Sequence, residues 1–82
     1  MSNMSQELEI YLKAIASSLG KEDEETFLSF YDFAKSQLKT EAEHQALMFG
    51  TLALLADHCK FPLRKAYYTF KFKRALKRIK SA

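Results

Sequence analysis

Residues 40–59 read TEAEHQALMFGTLALLADHC, and this stretch decides the fold. It opens with Thr40 and, three residues on, Glu43. That spacing is a capping box: the threonine hydroxyl accepts from the backbone N–H of Glu43, and the glutamate reaches back to the N–H of Thr40. Leu47, Met48, Phe49, Leu52, Leu54 and Leu55 then fall on nearly every side of a 3.6-residue period. A helix apolar all round is a central, buried helix, so residues 41–58 are expected to form the middle of an all-helical domain. Ala46, Gly50 and Ala53 make a stripe of small residues along it, where a neighbouring helix can approach closely.

Three further helices are expected around this one. The first covers about 4–18, with Ser2 or Asn3 as its cap. Met4, Leu8, Tyr11, Leu12, Ile15 and Leu19 recur at three- and four-residue steps, while Gln6, Glu9, Lys13 and Ser17 face away. Gly20 stands where a left-handed residue often ends a helix. The second helix covers about 22–38, with Glu22, Asp23, Glu24 and Glu25 matched to the positive end of its dipole. Its apolar face holds Phe27, Leu28, Phe30, Tyr31, Ala34 and Leu38, and Phe33 falls outside that face. The fourth covers about 62–80 and starts at Pro62, whose missing N–H is harmless in a first turn. No repeat, linker or low-complexity segment interrupts the 82 residues. The expectation is one domain, a compact antiparallel four-helix bundle.

Composition agrees with a folded domain: 48% of residues are hydrophobic and 13% aromatic, unlike a disordered chain. The single cysteine, Cys59, has no partner in the chain, which suits a reducing, cytoplasmic setting. Residues 1–20 lack the continuous apolar core of a signal peptide. The uncharged run Ala46–Ala56 is too short to cross a bilayer, which takes about 20 residues.

Charge is strongly segregated. Residues 1–59 hold ten acids and four bases, a net −6, whereas residues 60–82 hold nine bases and no acid. The apolar positions of the fourth helix change face midway. Leu63, Ala66, Tyr67 and Phe70 share one side, and Tyr68, Phe72, Ala75, Leu76 and Ile79 share another. Leu63 to Phe70 is therefore expected to be core, packed on two sides. The second half, Lys71 to Lys80, is expected to carry recognition.

No catalytic or metal-binding pattern stands out. His44, His58 and Cys59 lack the paired spacing that zinc sites use, and neither Gly20 nor Gly50 belongs to a phosphate-binding loop. No cofactor and no small-molecule substrate are expected. The candidate contact residues are Arg64, Lys65, Lys71, Lys73, Arg74, Lys77, Arg78 and Lys80. Their plainest role is a solvated face that complements the negative end of their own helix and the acidic second helix. Soluble helix faces usually mix signs, however, and three binding roles compete with it.

One is nucleic acid: Leu55 to Ala66 could form the turn of a helix-turn-helix in a small regulator of phage or plasmid type, with Arg64, Lys65 and Lys71 toward DNA. Another is an anionic membrane surface, with Phe72, Ala75, Leu76 and Ile79 as the inserted stripe of a basic amphipathic helix. In that case the protein would sit peripherally at the inner face of the membrane.

The third is a protein partner. From Asp23 to Lys71 the layout resembles the immunity proteins of pediocin-like (class IIa) bacteriocins. Phe27, Leu28, Tyr31, Ala34 and Leu38 carry the likeness, followed by the apolar helix Ala46–Ala56 and by Lys60-Phe61-Pro62-Leu63 leading into Ala66, Tyr67 and Phe70. The resemblance implies a cytosolic, basic four-helix bundle of bacterial origin. Such a protein would protect its producer by acting on the membrane receptor that the bacteriocin engages. It also implies that residues 60–82 carry specificity. The leading expectation is a non-enzymatic binding protein whose last helix meets an anionic membrane surface or a membrane-associated protein.

Overall fold

The structure, a computed structural model, describes residues 4–81, with side chains from Gln6 to Ile79. Four α-helices follow one another: α1 (Met4–Gly20), α2 (Glu24–Gln37), α3 (Glu41–His58) and α4 (Pro62–Ser81). The chain is an all-α four-helix bundle. Side-chain contacts tie α1 to α2, and those between α3 and α4 show that pair running antiparallel. Tyr11 of α1 meets Phe33 of α2 edge to face at 6.1 Å. Asp57, near the end of α3, pairs with Lys65 at the start of α4, and Gln45, near the start of α3, accepts from Arg78 near the end of α4 at 2.6 Å.

Local chemistry places the boundaries. Thr40 and Glu43 form the expected capping box: the Glu43 N–H donates to Thr40 Oγ1 (3.2 Å), and Glu43 Oε1 accepts the Thr40 N–H (2.8 Å). The acidic run before α2 divides differently from expectation. Asp23 is the N-cap, and only Glu24 and Glu25 lie in the first turn. The Asp23 carboxylate accepts from the side-chain hydroxyl of Thr26 (2.6 Å) and from its backbone N–H (3.1 Å). Those two bonds favour the ionised form and hold the Asp23 carboxyl below its usual value. At the other end of α2, Nε2 of His44 is placed to donate to the carbonyls of Leu38 (2.8 Å) and Lys35 (3.1 Å). An α3 side chain thus covers backbone acceptors that a helix end leaves open.

The first helix runs two residues past its expected end, and Gly20 is not its left-handed stop. Glu22 takes that conformation (φ 55°). Glu22 N–H donates to Leu19 and Asp23 N–H to Ser18, the paired bonds of a Schellman ending. Lys60 (φ 62°) does the same after α3, with Lys60 N–H on Asp57 and Phe61 N–H on Ala56. A side chain is strained in this region by about 1–2 kcal/mol. Lys60→Gly should therefore raise the urea midpoint by an amount equivalent to about 0.5–1 kcal/mol, glycine's greater entropy loss offsetting part of the relief. An unchanged or lower midpoint would mean that the lysine stem contributes packing worth as much as the strain.

The core gathers Leu8 and Ile15 from α1, Ala34 from α2, Leu38 beyond it, Ala46 and Leu47 from α3 and Ala75 from α4. Leu8, Ile15 and Leu47 are its largest fully buried side chains, each stabilising by about 1.5–3 kcal/mol. α3 buries one side, Ala46, Leu47, Gly50, Thr51 and Ala56. Phe49, Leu52, Leu54 and Leu55 are half-buried and Met48 is exposed, so α3 is not buried on every side as its all-round apolar pattern leads one to expect. The small-residue stripe has its use at Gly50, where Leu12 of α1 and Phe72 of α4 converge on the bare backbone. α2 leans mainly on α1, and α4 mainly on α3, while α1 packs on α3 between them. α2 and α4 are therefore the two flanks. On α2, Leu28 and Phe30 are exposed and not part of the buried face expected of them. The capping roles of Ser2 and Asn3 lie outside the described residues, and so does the side-chain packing of Met4.

Candidate binding surface on the fourth helix

Twenty residues of α4 have to bury one face and leave another to water. Ala75 is buried, and Tyr68, Phe72, Leu76 and Ile79 are half-buried beside it. Tyr68 stacks on Phe49 of α3 with centroids 6.5 Å apart. Phe72, Leu76 and Ile79 pack against the core cluster. This inward side corrects two expectations. The stripe Phe72, Ala75, Leu76 and Ile79 faces inward, Ala75 buried and the other three half-buried against the core, so it is not an open stripe on the outside of the bundle. Conversely, Leu63 to Phe70 is not core on two sides. Leu63 is 87% exposed, Phe70 56% and Tyr67 55%, and Ala66 is also exposed.

The reason is architectural. Both apolar sets have helical spacing, but α4 is a flank, and its one extensive neighbour is α3. Only one set can face α3. Tyr68, Phe72, Ala75 and Ile79 run the length of the helix and win that contact. Leu63, Ala66, Tyr67 and Phe70 are left on the outer side.

The outer face therefore changes character along its length. Its N-terminal half is apolar: Phe61 just before the helix, then Leu63, Tyr67 and Phe70. Its C-terminal half is basic: Lys73, Arg74, Lys77 and Arg78, all exposed. Cations also sit beside the exposed rings. The Arg64 guanidinium lies 5.4 Å from the Phe61 ring centre, the Lys71 ammonium 5.8 Å from Tyr67, and the Arg74 guanidinium 5.8 Å from Phe70. Each such contact is worth about 0.5–1 kcal/mol at an exposed site. It orders a long basic side chain along the helix without neutralising its charge.

The structure spreads the candidate contact residues over different roles. Lys65 forms a 2.9 Å ion pair with Asp57 and so helps to tie α4 to α3. Arg78 is tied to Gln45. Lys71 is half-buried under Tyr67, and Arg64 is exposed beside Phe61. Lys73, Arg74 and Lys77 lie together on the outer face, directly after Phe70 in the helix. The side chain of Lys80 lies outside the described residues. Leu63, Tyr67 and Phe70 are the surface members that the periodicity misassigned. The signal for them was the second apolar set itself, one more than a single neighbouring helix can bury.

Elsewhere, an apolar groove of about 420 Å³ runs between α1, α3 and α4, lined by Leu12, Ala16, Leu54, Phe72 and Leu76 and edged by the exposed Glu9–Lys13 pair (3.1 Å). Cys59 is a free, exposed thiol beside the exposed His58. Among the described residues no three His, Cys, Asp or Glu side chains cluster as metal ligands, and no helix is long and apolar enough to cross a membrane. No protein-family model matches the chain, and no curated protein and no solved structure is significantly similar to it.

Proposed function

We propose that this chain is a non-enzymatic binding protein that lies on an anionic membrane surface through the outer face of α4. One observation carries the reading: exposed Leu63, Tyr67 and Phe70 share a helix face with Lys73, Arg74 and Lys77, in a segment with no acid at all. Interfacial helices have this chemistry. Their apolar side chains enter the boundary between headgroups and acyl chains, and their bases meet anionic headgroups. The stripe that enters is Leu63, Tyr67 and Phe70, not the inward-facing stripe further along the helix.

The fold argues for lipid over duplex DNA. α3 and α4 run side by side from Asp57–Lys65 to Gln45–Arg78, whereas the helices of a helix-turn-helix cross at about 90–120°. Binding phosphates along a duplex also gives no use to an exposed leucine and phenylalanine. The resemblance to bacteriocin immunity proteins supports a setting for such a protein, at the inner face of a bacterial membrane beside the receptor it guards.

Pelleting with vesicles tests the proposal. Recovery with phosphatidylglycerol-containing vesicles should exceed recovery with pure phosphatidylcholine at low salt and fall as salt rises. Lys73→Gln and Arg74→Gln together should weaken binding about 30-fold, at about 1 kcal/mol per base. Arg78 is left in place because it also holds Gln45. Equal recovery on both lipids would overturn the proposal. So would tight binding of random duplex DNA under conditions where the vesicles bind nothing.

A further inference from the structure

Most of the exposed large apolar side chains gather in two places. Four belong to α4 and the turn before it. Three others, Ile10 (63% exposed), Phe33 (57%) and Phe30, meet along the outer seam between α1 and α2. On α1 the seam is edged by Ile10, Ala14 and Ser17, spaced four and three residues apart. On α2 it is edged by Thr26, Phe30, Phe33 and Gln37, spaced in the same way. Two contacts join the edges. Phe33 meets Tyr11, the residue beside Ile10, edge to face at 6.1 Å, and Ala14 and Ser17 line one cavity with Thr26 and Phe30. Leu8, Ile15 and Leu38 point instead into the core. An apolar patch of this kind on a folded domain marks a contact surface.

The seam differs from the outer face of α4 in charge. The charged residues of α2, Glu24, Glu25, Asp32 and Lys35, fall outside its edge, and on α1 Lys13 stands at the margin, 3.1 Å from Glu9. Among the described residues the seam has no block of bases for an anionic lipid surface, and no block of acids for the basic half of α4. A neutral apolar patch suits a like patch. In a two-fold symmetric contact a surface meets its own copy, so a face of one charge repels itself and a neutral one does not.

We propose that the α1–α2 seam is the contact surface of a two-fold symmetric dimer of this chain. The axis runs along the seam, so α1 of each copy lies on α2 of the other. Ile10 of one copy packs on Phe33 of the second, at the level fixed by Tyr11, and Phe30 packs on Ala14 and Ser17. Each contact occurs twice. An axis across the helices would lay α1 on α1 and bring the two Lys13 ammonium groups together. Because both copies use the same patch, assembly stops at two, and it takes nothing from α4.

Sedimentation equilibrium tests the inference. With rising concentration the weight-average mass should climb from 9.5 kDa toward twice that value and level off there. It should not fall at about 1 M salt, where charges are felt over only about 3 Å. Ile10→Lys and Phe33→Glu should each weaken self-association at least about tenfold. An equimolar mixture of the two should pair again, because the introduced lysine and glutamate face each other at one contact while Ile10 and Phe33 keep the other. A native chain that stays monomeric up to about 1 mM would overturn the inference. So would two variants, folded by circular dichroism, that fail to pair when mixed, or an Ile10→Lys variant that associates like the native chain. Ile10→Lys disturbs no core contact, so it decides the matter if Phe33→Glu, which also gives up the Tyr11 ring, does not fold. The lipid reading stands apart from this test: a monomer that pellets with anionic vesicles overturns only the dimer, and a dimer that ignores vesicles overturns only the lipid surface.

Discussion

Gly50→Leu is expected to destabilise the protein by about 3 kcal/mol or more, enough to leave much of the chain unfolded under mild conditions. Even a bare Cβ at this position would lie 2.9 and 3.0 Å from the methyl carbons of Leu12 and 3.0 Å from the Phe72 ring, closer than van der Waals contact allows. The ends of Leu12 can rotate away from a single methyl group. Alanine also gains about 1 kcal/mol of helix propensity over glycine, so Gly50→Ala should change stability by no more than about 1 kcal/mol in either direction. A leucine brings three more carbons to the place where α1, α3 and α4 meet. It must displace both Leu12 and the Phe72 ring, and the helices have to separate. A domain of this size is stable by about 4–12 kcal/mol, so the loss is a large share of the total. Urea denaturation followed by circular dichroism measures it. A Gly50→Leu midpoint equal to the native one would show that Leu12 and Phe72 do not close on this glycine.

Leu63→Ser with Phe70→Ser should have the opposite profile, a large loss of binding with almost none of stability. Both side chains are mostly in water, and surface substitutions of this kind usually stay within about 0.5 kcal/mol. Moving each from water into the interface is worth up to about 1.5–3 kcal/mol. Removing both should cut partitioning onto anionic vesicles by about 100-fold or more, while the thermal midpoint stays put. The result separates an interfacial mode from a purely electrostatic one. If the double variant binds as well as the native chain, only the bases are in contact and the helix rests above the headgroups. If instead it unfolds, Leu63 and Phe70 are structural and the corrected placement of the outer face is wrong.

The contrast between these two substitutions shows what the sequence carries and what it does not. Gly50 was legible: a small residue flanked by Ala46 and Ala53 on an otherwise apolar helix points to close approach. The capping box at Thr40 and the start at Pro62 were legible for the same reason, since each is a local rule satisfied within four residues. The inward side of α4 was not. Periodicity reports that a side chain is apolar at helical spacing, not whether another helix stands opposite it, and α4 has two such sets with one extensive neighbour. The left-handed residues were hidden as well. Glu22 and Lys60 occupy them because the backbone bonds of the turn outweigh a moderate steric cost, whereas the more obvious Gly20 stays inside α1. Of the candidate contact residues, the sequence identified the charges but could not divide those spent on the fold, Lys65 and Arg78, from those presented outward, Lys73 and Arg74.

The meeting of Leu12 and Phe72 over Gly50 also bears on cooperativity. α1 pairs with α2 and α3 with α4, so most contacts form between residues near in sequence, and either hairpin can assemble locally and fast. Nothing in those local pairings makes the halves melt together. Leu12 and Phe72 come from opposite ends of the chain and touch the same backbone position, which α3 supplies from between them. That junction, with the packing of α1 on α3, is the physical link between the two helical hairpins.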